Sequence, residues 1–285
     1  MEFIIHFKFF FYFHPLFKTM KNNQAKFVFL LLFLYSTYVN GQETKEGKPK
    51  GRFYFSWGYN KDWYSKSDIH FESKSNDDFN FTVYNVKAED RPSFGRILNS
   101  DLSIPQYIYR IGYSFARHPN MGIEIGFDHA KYIMLQDQVA HVKGKIHEKY
   151  VDNDTILTRE FLRFEHTNGA NFLMLNFFWK NIFFSSASGK HELFYIIKPG
   201  AGLVIPQSEV AIFNVDQNND YHIAGYVAGL DLELHYEFNK HFLFETGMKG
   251  VFANYLNVLA VGDSRANHHF FCLEWLISIG YQFQL

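Results

Sequence analysis

One histidine stands beside a hydroxyl in an arrangement that could support ester hydrolysis. The segment Glu165-His166-Thr167-Asn168-Gly169 offers an imidazole as general base and a hydroxyl as nucleophile. On a β-strand, however, neighbouring side chains point to opposite faces, so His166 and Thr167 would not meet. The pattern therefore leaves His166 as a candidate base without a partner, and favours a structural turn at Asn168-Gly169.

A second set of acidic and histidine side chains shares one face of a predicted strand. Asp231, Glu233, His235 and Glu237 occupy alternate positions. At about 3.3 Å per residue they extend over roughly 20 Å, which is too far for one catalytic centre. This spacing favours a structural ion network over a protease-like site.

Several histidines and acids near predicted loops are candidate metal ligands: His268-His269, His141, His147 and Asp152 to Asp154. Adjacent histidines on a strand face opposite ways, and the Asp152-Asn153-Asp154 run lacks the rest of a calcium-binding loop. The sequence also has no glycine-rich phosphate loop. We therefore expect no metal site and no cofactor.

Composition excludes several classes of protein. The 285 residues carry 28 basic and 29 acidic side chains, a balance that does not suit a polybasic nucleic-acid-binding protein. Mean hydropathy is −0.21, which argues against a bundle of membrane-spanning helices. Yet 34 Phe and 18 Tyr exceed what an ordinary soluble domain contains. The elements that hold any site must therefore place many aromatic rings beside polar residues.

The N-terminal region is predicted to be a targeting segment. Residues 20–41 run from a basic start at Met20 through an apolar stretch to Gly41, as in a secretory signal peptide. Residues 1–19 are predicted to be an extension from a misassigned start codon, and residues 42–50 a short polar segment. Cys272 is the single cysteine, so neither an intrachain disulfide nor a lipid-modified cysteine after the signal peptide is expected.

The remainder, residues 51–285, alternates between apolar and polar side chains. Along the last segment, His269, Phe271, Leu273, Trp275, Ile277, Ile279, Tyr281, Phe283 and Leu285 form one face. Segments 224–238, 107–115 and 123–128 repeat the pattern. Period-two alternation predicts β-strands with two different environments. A soluble β-sandwich is the alternative, but several segments reach ten or more residues and carry aromatic residues at their ends, which favours membrane-spanning strands.

These features together resemble the small outer-membrane β-barrel proteins of Gram-negative bacteria. The resemblance rests on the signal peptide, the aromatic alternation and the end Gly280-Tyr281-Gln282-Phe283-Gln284-Leu285. It implies a location in the bacterial outer membrane, contact with its lipids, and recognition of the terminal strand by the barrel-assembly machinery. Most members end in Phe, whereas this chain ends in Leu285.

Segment 165–169 also resembles the His-x-Ser-Asn-Gly signature of outer-membrane phospholipases and lipid A deacylases. In that signature the serine two residues after the histidine is the nucleophile. Here Thr167 directly follows His166, so the resemblance departs from the signature at the nucleophile.

Counting strands back from the C-terminus predicts ten, with eight and twelve as alternatives. Long connections are predicted at 89–104, 136–168, 206–220 and 256–267, and short ones at 117–120, 185–190 and Asn239-Lys240. Segments 66–73 and 79–88 count as strands of the barrel, because an even number places both termini on the periplasmic side. Loop 136–168 is then the long extracellular loop.

The predicted lumen is lined by charges of both signs: Arg52, Arg110, Lys180, Lys198 and Lys249 against Glu124, Asp128, Asp231, Glu233, Glu237, Glu245 and Glu274. Such charges require partners in a narrow interior, so they are predicted to form a salt-bridged, largely closed plug. We therefore predict a non-enzymatic structural or surface-binding protein that acts through its extracellular loops. A lipid hydrolase using His166, and small-solute transport, remain the alternatives. No nucleic-acid partner is expected, and the sequence does not identify an extracellular ligand.

Overall fold

The computed structural model describes residues 50–73, 78–90 and 106–284. The predicted start extension 1–19, the predicted signal peptide 20–41, residues 42–49 and most of the predicted loop 89–104 lie outside these ranges. In the described part of the chain, no helix has both the length and the apolar character needed to cross a membrane.

The described residues form an antiparallel all-β fold, which confirms the predicted fold class. Their seventeen strands are β1 (Arg52–Tyr64), β2 (Ser67–Glu72), β3 (Phe79–Val86), β4 (Ala88–Glu89), β5 (Tyr107–Phe115), β6 (His118–His129), β7 (Tyr132–Met134), β8 (Val139–Ile146), β9 (Lys149–Ile156), β10 (Leu162–His166), β11 (Phe172–Ser185), β12 (His191–Val204), β13 (Glu209–Ile212), β14 (Val215–Asn218), β15 (Gly225–Phe238), β16 (Phe242–Leu259) and β17 (Arg265–Gln284).

Eight of these strands close into a barrel. Their order is β1-β5-β6-β11-β12-β15-β16-β17, and β17 pairs back with β1 from Arg52↔Gln284 to Tyr64↔Cys272. The barrel therefore has eight strands. This is the lower of the two alternatives to the ten strands predicted from the sequence. Segments 66–73 and 79–88 do form β2 and β3, but β2 joins only the first four residues of β17, so the pair extends the sheet beyond the ring.

The outward face of the ring is apolar and its inward face is polar, because side chains alternate along each strand. On β17, Trp275 and Ile277 are 42% and 46% exposed, whereas Glu274 and Leu276 are almost fully buried. Large apolar side chains form the same outer band on the other strands: Ile111, Ile123, Ile125, Leu175, Phe177, Trp179, Leu230, Leu232, Leu234 and Phe244.

The two ends of the barrel differ. Short turns at 116–117, 186–190 and 239–241 connect strands at one end, which also holds Arg52 and Gln284. The turn predicted as Asn239-Lys240 has three residues, because Phe238 pairs with Phe242 and His241 lies between them. Asn239 and Lys240 both adopt positive φ, as tight hairpin turns require. Three long connections meet at the opposite end, whereas the connection predicted to be long at 256–267 has only five residues, 260–264, because β16 and β17 extend further than expected.

The long connections fold into a compact lobe of two sheets. One sheet continues from β17 through β2, β3, β8 and β9, and the other has the order β14-β13-β10-β7-β4. Aromatic side chains join them: the rings of Phe71 on β2 and Phe164 on β10 lie 5.5 Å apart. The chain between β6 and β11 thus contains four strands, and its β8–β9 hairpin forms an outer edge.

The core of the lobe continues into the barrel mouth without a gap. Phe71 and Phe164 belong to one buried cluster with Phe172, Met174 and Cys272, which lie inside the ring. Burying this surface stabilises the lobe on the barrel, since each large apolar side chain contributes about 1.5–3 kcal/mol. The mouth at the long-connection end is therefore filled with apolar side chains.

Candidate functional site

The charged residues predicted for the lumen all lie on strands of the ring, and most of them meet there. Arg110 on β5 contacts Asp128 and lies 3.5 Å from Glu124, both on β6. Lys198 on β12 is 2.8 Å from Glu124 and 2.8 Å from Glu233. These contacts join strands on both sides of the barrel interior.

Lys249 extends the same network toward the lobe. It contacts Asp128 and lies 4.0 Å from Glu274, which accepts a hydrogen bond of 3.3 Å from Asn60. Arg110, Lys198 and Lys249 are each 1% exposed, so their contacts form away from bulk water. Buried charges of this kind need partners, and removal of one partner leaves the other uncompensated.

A separate group of charges lies near the short turns. Lys180 is 3.5 Å from Glu192 and 3.5 Å from Glu237, and its ammonium lies 3.7 Å from the centre of the Phe194 ring. Arg52 is 3.7 Å from Glu237 and is partly exposed. This end of the lumen is therefore more open to solvent than its middle.

Two predicted members of the network stand apart from the Lys and Arg contacts. Both carboxylate oxygens of Asp231 are buried without a hydrogen-bond partner among the described residues. Glu245 accepts a hydrogen bond of 2.5 Å from Ser278 and lies 3.5 Å from His235. His235 belonged to the acidic and histidine set on β15, and the structure makes it a neighbour of Glu233 as well, at 2.7 Å.

Asp62 and Tyr54 belong to this interior, although the sequence did not predict them there. Asp62 is buried and accepts hydrogen bonds from Gln106 at 2.7 Å and Asn60 at 3.0 Å. Tyr54 donates a hydrogen bond to Glu124. Asp62 lies near the end of β1, beyond the alternating aromatic residues Phe53, Phe55, Trp57 and Tyr59 that mark this strand in the sequence. Continuing the period-two alternation to Tyr64 would have placed Asp62 on the inward face.

His166 occupies a different place, in the core where the lobe meets the barrel. Its Nδ1 lies 2.8 Å from Ser208 Oγ, and its Nε2 lies 3.1 Å from His268 Nε2. Its ring stacks on Tyr255 at 4.9 Å. His166 and Ser208 are fully buried, and burial lowers the pKa of His166 to about 3. The ring is therefore neutral at physiological pH.

The hydroxyl that follows His166 is not its partner. Thr167 lies just beyond the end of β10, and its Oγ1 is buried without a hydrogen-bond partner in the described part of the chain. The backbone then turns at Gly169, whose φ of +120° is unfavourable for any residue with a Cβ. The serine near His166 comes instead from the segment before β13, 42 residues further along the chain.

The histidines of the predicted loops lie apart from one another. His141 on β8 contacts Asp152 at 2.9 Å and Asp154 at 3.0 Å, both on β9. Hydrogen bonds to Asp154 and Asp152 raise the pKa of His141, and Lys143 and His141 lower that of Asp152. Elsewhere, His147 contacts Asp78 at 2.7 Å, while His268 faces inward and His269 outward.

The closed ring, its apolar outer band and its charged interior define a transmembrane β-barrel, a class that resides in the bacterial outer membrane. The described part of the chain thus folds as a transmembrane β-barrel whose lobe seals one mouth of the ring.

Comparison with solved structures gives similar folds at low identity. OprG from Pseudomonas aeruginosa has a TM-score of 0.35 and 11% identity, covering 84% of this chain and 98% of its own. Ail of Yersinia pestis, solved in complex with a heparin analogue, has a TM-score of 0.31 and 10% identity, covering 82% and 99%. The Escherichia coli outer membrane protease OmpT has a TM-score of 0.31 and 8% identity, covering 86% and 99%. No family model and no curated protein matches the sequence.

Proposed function

We propose that the protein is a surface-binding protein in which a closed barrel anchors an extracellular lobe. The observation that carries this proposal is the filled barrel mouth, where lobe residues such as Phe164 share one buried cluster with Phe172 and Met174 of the ring. Below that cluster the charges of the lumen pair with one another. A solute would meet two successive barriers, so the lobe is the part of the molecule able to meet a partner.

The orientation follows from the lengths of the connections. Outer-membrane barrels have short periplasmic turns and longer extracellular loops. Turns 116–117, 186–190 and 239–241 therefore face the periplasm, and the lobe faces outward. The predicted signal peptide 20–41 would direct export, and the terminal pattern ending at Leu285 would address the barrel-assembly machinery.

The β8–β9 hairpin is the proposed binding element. β9 is the last strand of its sheet, so one of its edges has no neighbouring strand among the described residues. Tyr150 is 70% exposed, and Val139 and Ile156 are also exposed. An unpaired edge bearing exposed apolar side chains can accept an extended peptide as an added strand. A peptide that forms a β-strand is thus the proposed type of ligand.

A peptide phage library panned against the refolded protein in detergent tests this proposal. The matched control lacks residues 139–156 and closes the gap with a short glycine linker. This deletion is feasible because the amide of Asp137 donates a hydrogen bond of 2.9 Å to the carbonyl of Leu157, so the two ends are adjacent. Enriched peptides are expected to bind the intact protein and not the deleted form. Equal binding to both, or no enrichment, would contradict the proposal.

A lipid hydrolase is the second candidate, favoured by the 2.8 Å contact between His166 and Ser208. Such a contact is the geometry of an activated serine. Its burial beneath Tyr132, Phe164 and Tyr255 opposes this function, since a lipid ester has no path to it. Hydrolysis of phospholipid vesicles by the purified barrel, compared with His166→Ala and Ser208→Ala, decides the question. Equal rates for all three exclude the enzyme.

A further inference from the structure

His235 lies between two carboxylates inside the barrel. Its Nε2 is 2.7 Å from Glu233 Oε2, and its Nδ1 is 3.5 Å from Glu245 Oε1. Each of the three residues offers one ligand atom, and these atoms lie within 4.8 Å of one another. Imidazole and carboxylate are the groups that bind first-row divalent cations such as Zn²⁺.

Two atoms of this group are buried without a hydrogen bond. His235 Nδ1 and Glu245 Oε1 both lack a hydrogen-bond partner among the described residues. Their side chains are only 1% and 3% exposed. Their separation of 3.5 Å suits two ligands of a single ion, because Zn–N and Zn–O bonds are about 2.0–2.2 Å long. An ion between them would satisfy both atoms.

A carboxylate on the other side of the His235 imidazole determines which of its nitrogens is free. Glu233 accepts a hydrogen bond from Nε2 of His235, so in the neutral ring Nδ1 carries the lone pair. Lys198 holds Glu233 in place at 2.8 Å. A carboxylate on the far nitrogen of a histidine ligand is the usual support of a metal site, since it orients the ring and raises its basicity.

The charge of the lumen also favours a bound cation. Among the described residues of the lumen, five bases, Arg52, Arg110, Lys180, Lys198 and Lys249, face eight buried carboxylates. The carboxylates are Asp62, Glu124, Asp128, Asp231, Glu233, Glu237, Glu245 and Glu274. Buried negative charge without a counter-charge is costly, so protons or cations must compensate for the excess.

An ion can reach His235 from the periplasmic end. A cavity of about 390 Å³ opens between the short turns and is lined by His235 together with Tyr54, Phe194 and Leu243. Arg52 and Lys180 lie at the same cavity. The cavity brings solvent to the His235 side chain, whereas the atoms Nδ1 of His235 and Oε1 of Glu245 are themselves buried.

We propose that His235 and Glu245 bind a divalent transition-metal ion, with Zn²⁺ as the probe, and that Glu233 positions the imidazole from its other nitrogen. The site lies in the lumen and goes beyond the proposed binding function of the lobe. It fastens β15 to β16, which carry His235 and Glu245 at paired positions.

Equilibrium dialysis of the refolded, metal-free protein against Zn²⁺, followed by elemental analysis, tests the site. All proteins carry His141→Ala, which removes the exposed histidine between Asp152 and Asp154 as a second zinc ligand. One retained ion is expected for this parent. His235→Gln and Glu245→Gln are expected to lose it, and Glu233→Gln to weaken binding about 10–100-fold. Asp231→Asn is the matched control, because it removes a buried carboxylate from the same strand and should retain the ion.

Heat-modifiable migration on a denaturing gel shows which variants fold. Absorption of bound Co²⁺ in the parent is a second measurement that needs no substitution in the site. Visible bands that disappear on addition of Zn²⁺ support a buried nitrogen and oxygen site. Absence of a bound ion in the parent overturns the proposal and leaves His235 as an ion-pair partner of both glutamates. Retention of the ion by folded His235→Gln or Glu245→Gln overturns it equally.

Discussion

The buried histidine pair at the base of the lobe makes the stability of the lobe sensitive to acid. Burial lowers the pKa of His166 from its ordinary value of 6.5 to about 3. Below pH 6.5 the His166 imidazole binds a proton in the unfolded chain but stays unprotonated in the folded protein. The free energy of unfolding therefore falls as the pH decreases from 6.5 toward 3, by up to about 1.4 kcal/mol per pH unit, and this histidine has no such effect above 6.5.

Near-UV circular dichroism measures this effect, because Tyr132 and Tyr255 surround the pair. The thermal midpoint of that signal is expected to fall from pH 7 to pH 4, and the fall should be smaller in His166→Gln. His118→Gln is the control, since His118 is exposed at a short turn. An unchanged slope in His166→Gln would show that another group is responsible.

His141 on the β8–β9 hairpin of the lobe is expected to show the opposite shift, a raised pKa. Hydrogen bonds to Asp154 and Asp152 raise the pKa of His141. Its protonated form is favoured in the folded state, so this contribution to hairpin stability is complete below the ordinary pKa and is lost as the pH rises through the folded one. An NMR titration of His141 should give a midpoint above 6.5, and Asp154→Asn should lower it. A midpoint unaffected by Asp154→Asn contradicts the contact.

The face of the strand on which a charged residue lies was easier to predict than the residue that it contacts. Alternation placed Asp128 and Lys249 on the inward face, but their contact joins residues 121 positions apart. That pairing depends on the register and closure of eight strands, which no local pattern records. His166 shows the same limit: adjacency ruled out Thr167, while Ser208 became visible only when β10 and β13 paired.

At the scale of elements, Lys198 connects three strands of the barrel. It lies on β12 and bridges Glu124 on β6 and Glu233 on β15, each at 2.8 Å. Lys198→Met should lower the free energy of unfolding by about 3–5 kcal/mol, because two carboxylates lose their buried counter-charge. Reversible urea unfolding in detergent measures the change.

Ile197→Met is the matched control, since Ile197 is the neighbouring residue on the outward face. It should change stability by less than about 1.5 kcal/mol, as volume-conserving apolar substitutions do. Adding Glu124→Gln to Lys198→Met should recover part of the loss. Equal effects at positions 197 and 198 would show that the contacts of Lys198 contribute little.

The positions of strands in the sequence were predicted more reliably than the pairing of each strand with its neighbours in the sheet. Segments 66–73 and 79–88 are strands, yet they pair outside the ring, because alternation shows that a strand has two faces and not which strand lies beside it. Strands β8 and β9 lie within the predicted loop 136–168. Strand β8 does alternate, with Ala140 and Val142 buried and Lys143 exposed, but it carries none of the aromatic residues that marked the barrel strands.

At the scale of the whole molecule, two different environments account for the excess of aromatic residues. Phe177, Trp179 and Phe244 belong to the outer band that meets lipid, whereas Phe71 and Phe164 fill the core of the lobe. The sequence suggested the first environment and not the second. A barrel that carries its own apolar core above the membrane needs more aromatic residues than a bare ring.

The same architecture determines whether the barrel conducts ions. The lumen is blocked by the apolar cluster at its outer mouth and by the contacts of Arg110 and Lys198 below it. Planar-bilayer recordings of the wild-type protein are therefore expected to show no stable nanosiemens-scale pore. Deletion of residues 139–156 should leave the barrel closed. The deleted segment contributes only Ala140, Val142 and Ile146 to the apolar cluster, and these residues lie on β8 in the lobe.

Arg110→Ala combined with Lys198→Ala tests the lower barrier. Removal of both bases frees space and leaves Glu124, Asp128 and Glu233 without their main counter-charges, so any current that appears should be carried by cations. Brief cation-selective openings in this variant, against silence in the wild type, would assign closure to the ion network. A stable wild-type pore would instead favour the transport alternative, and would require the apolar cluster to open as well.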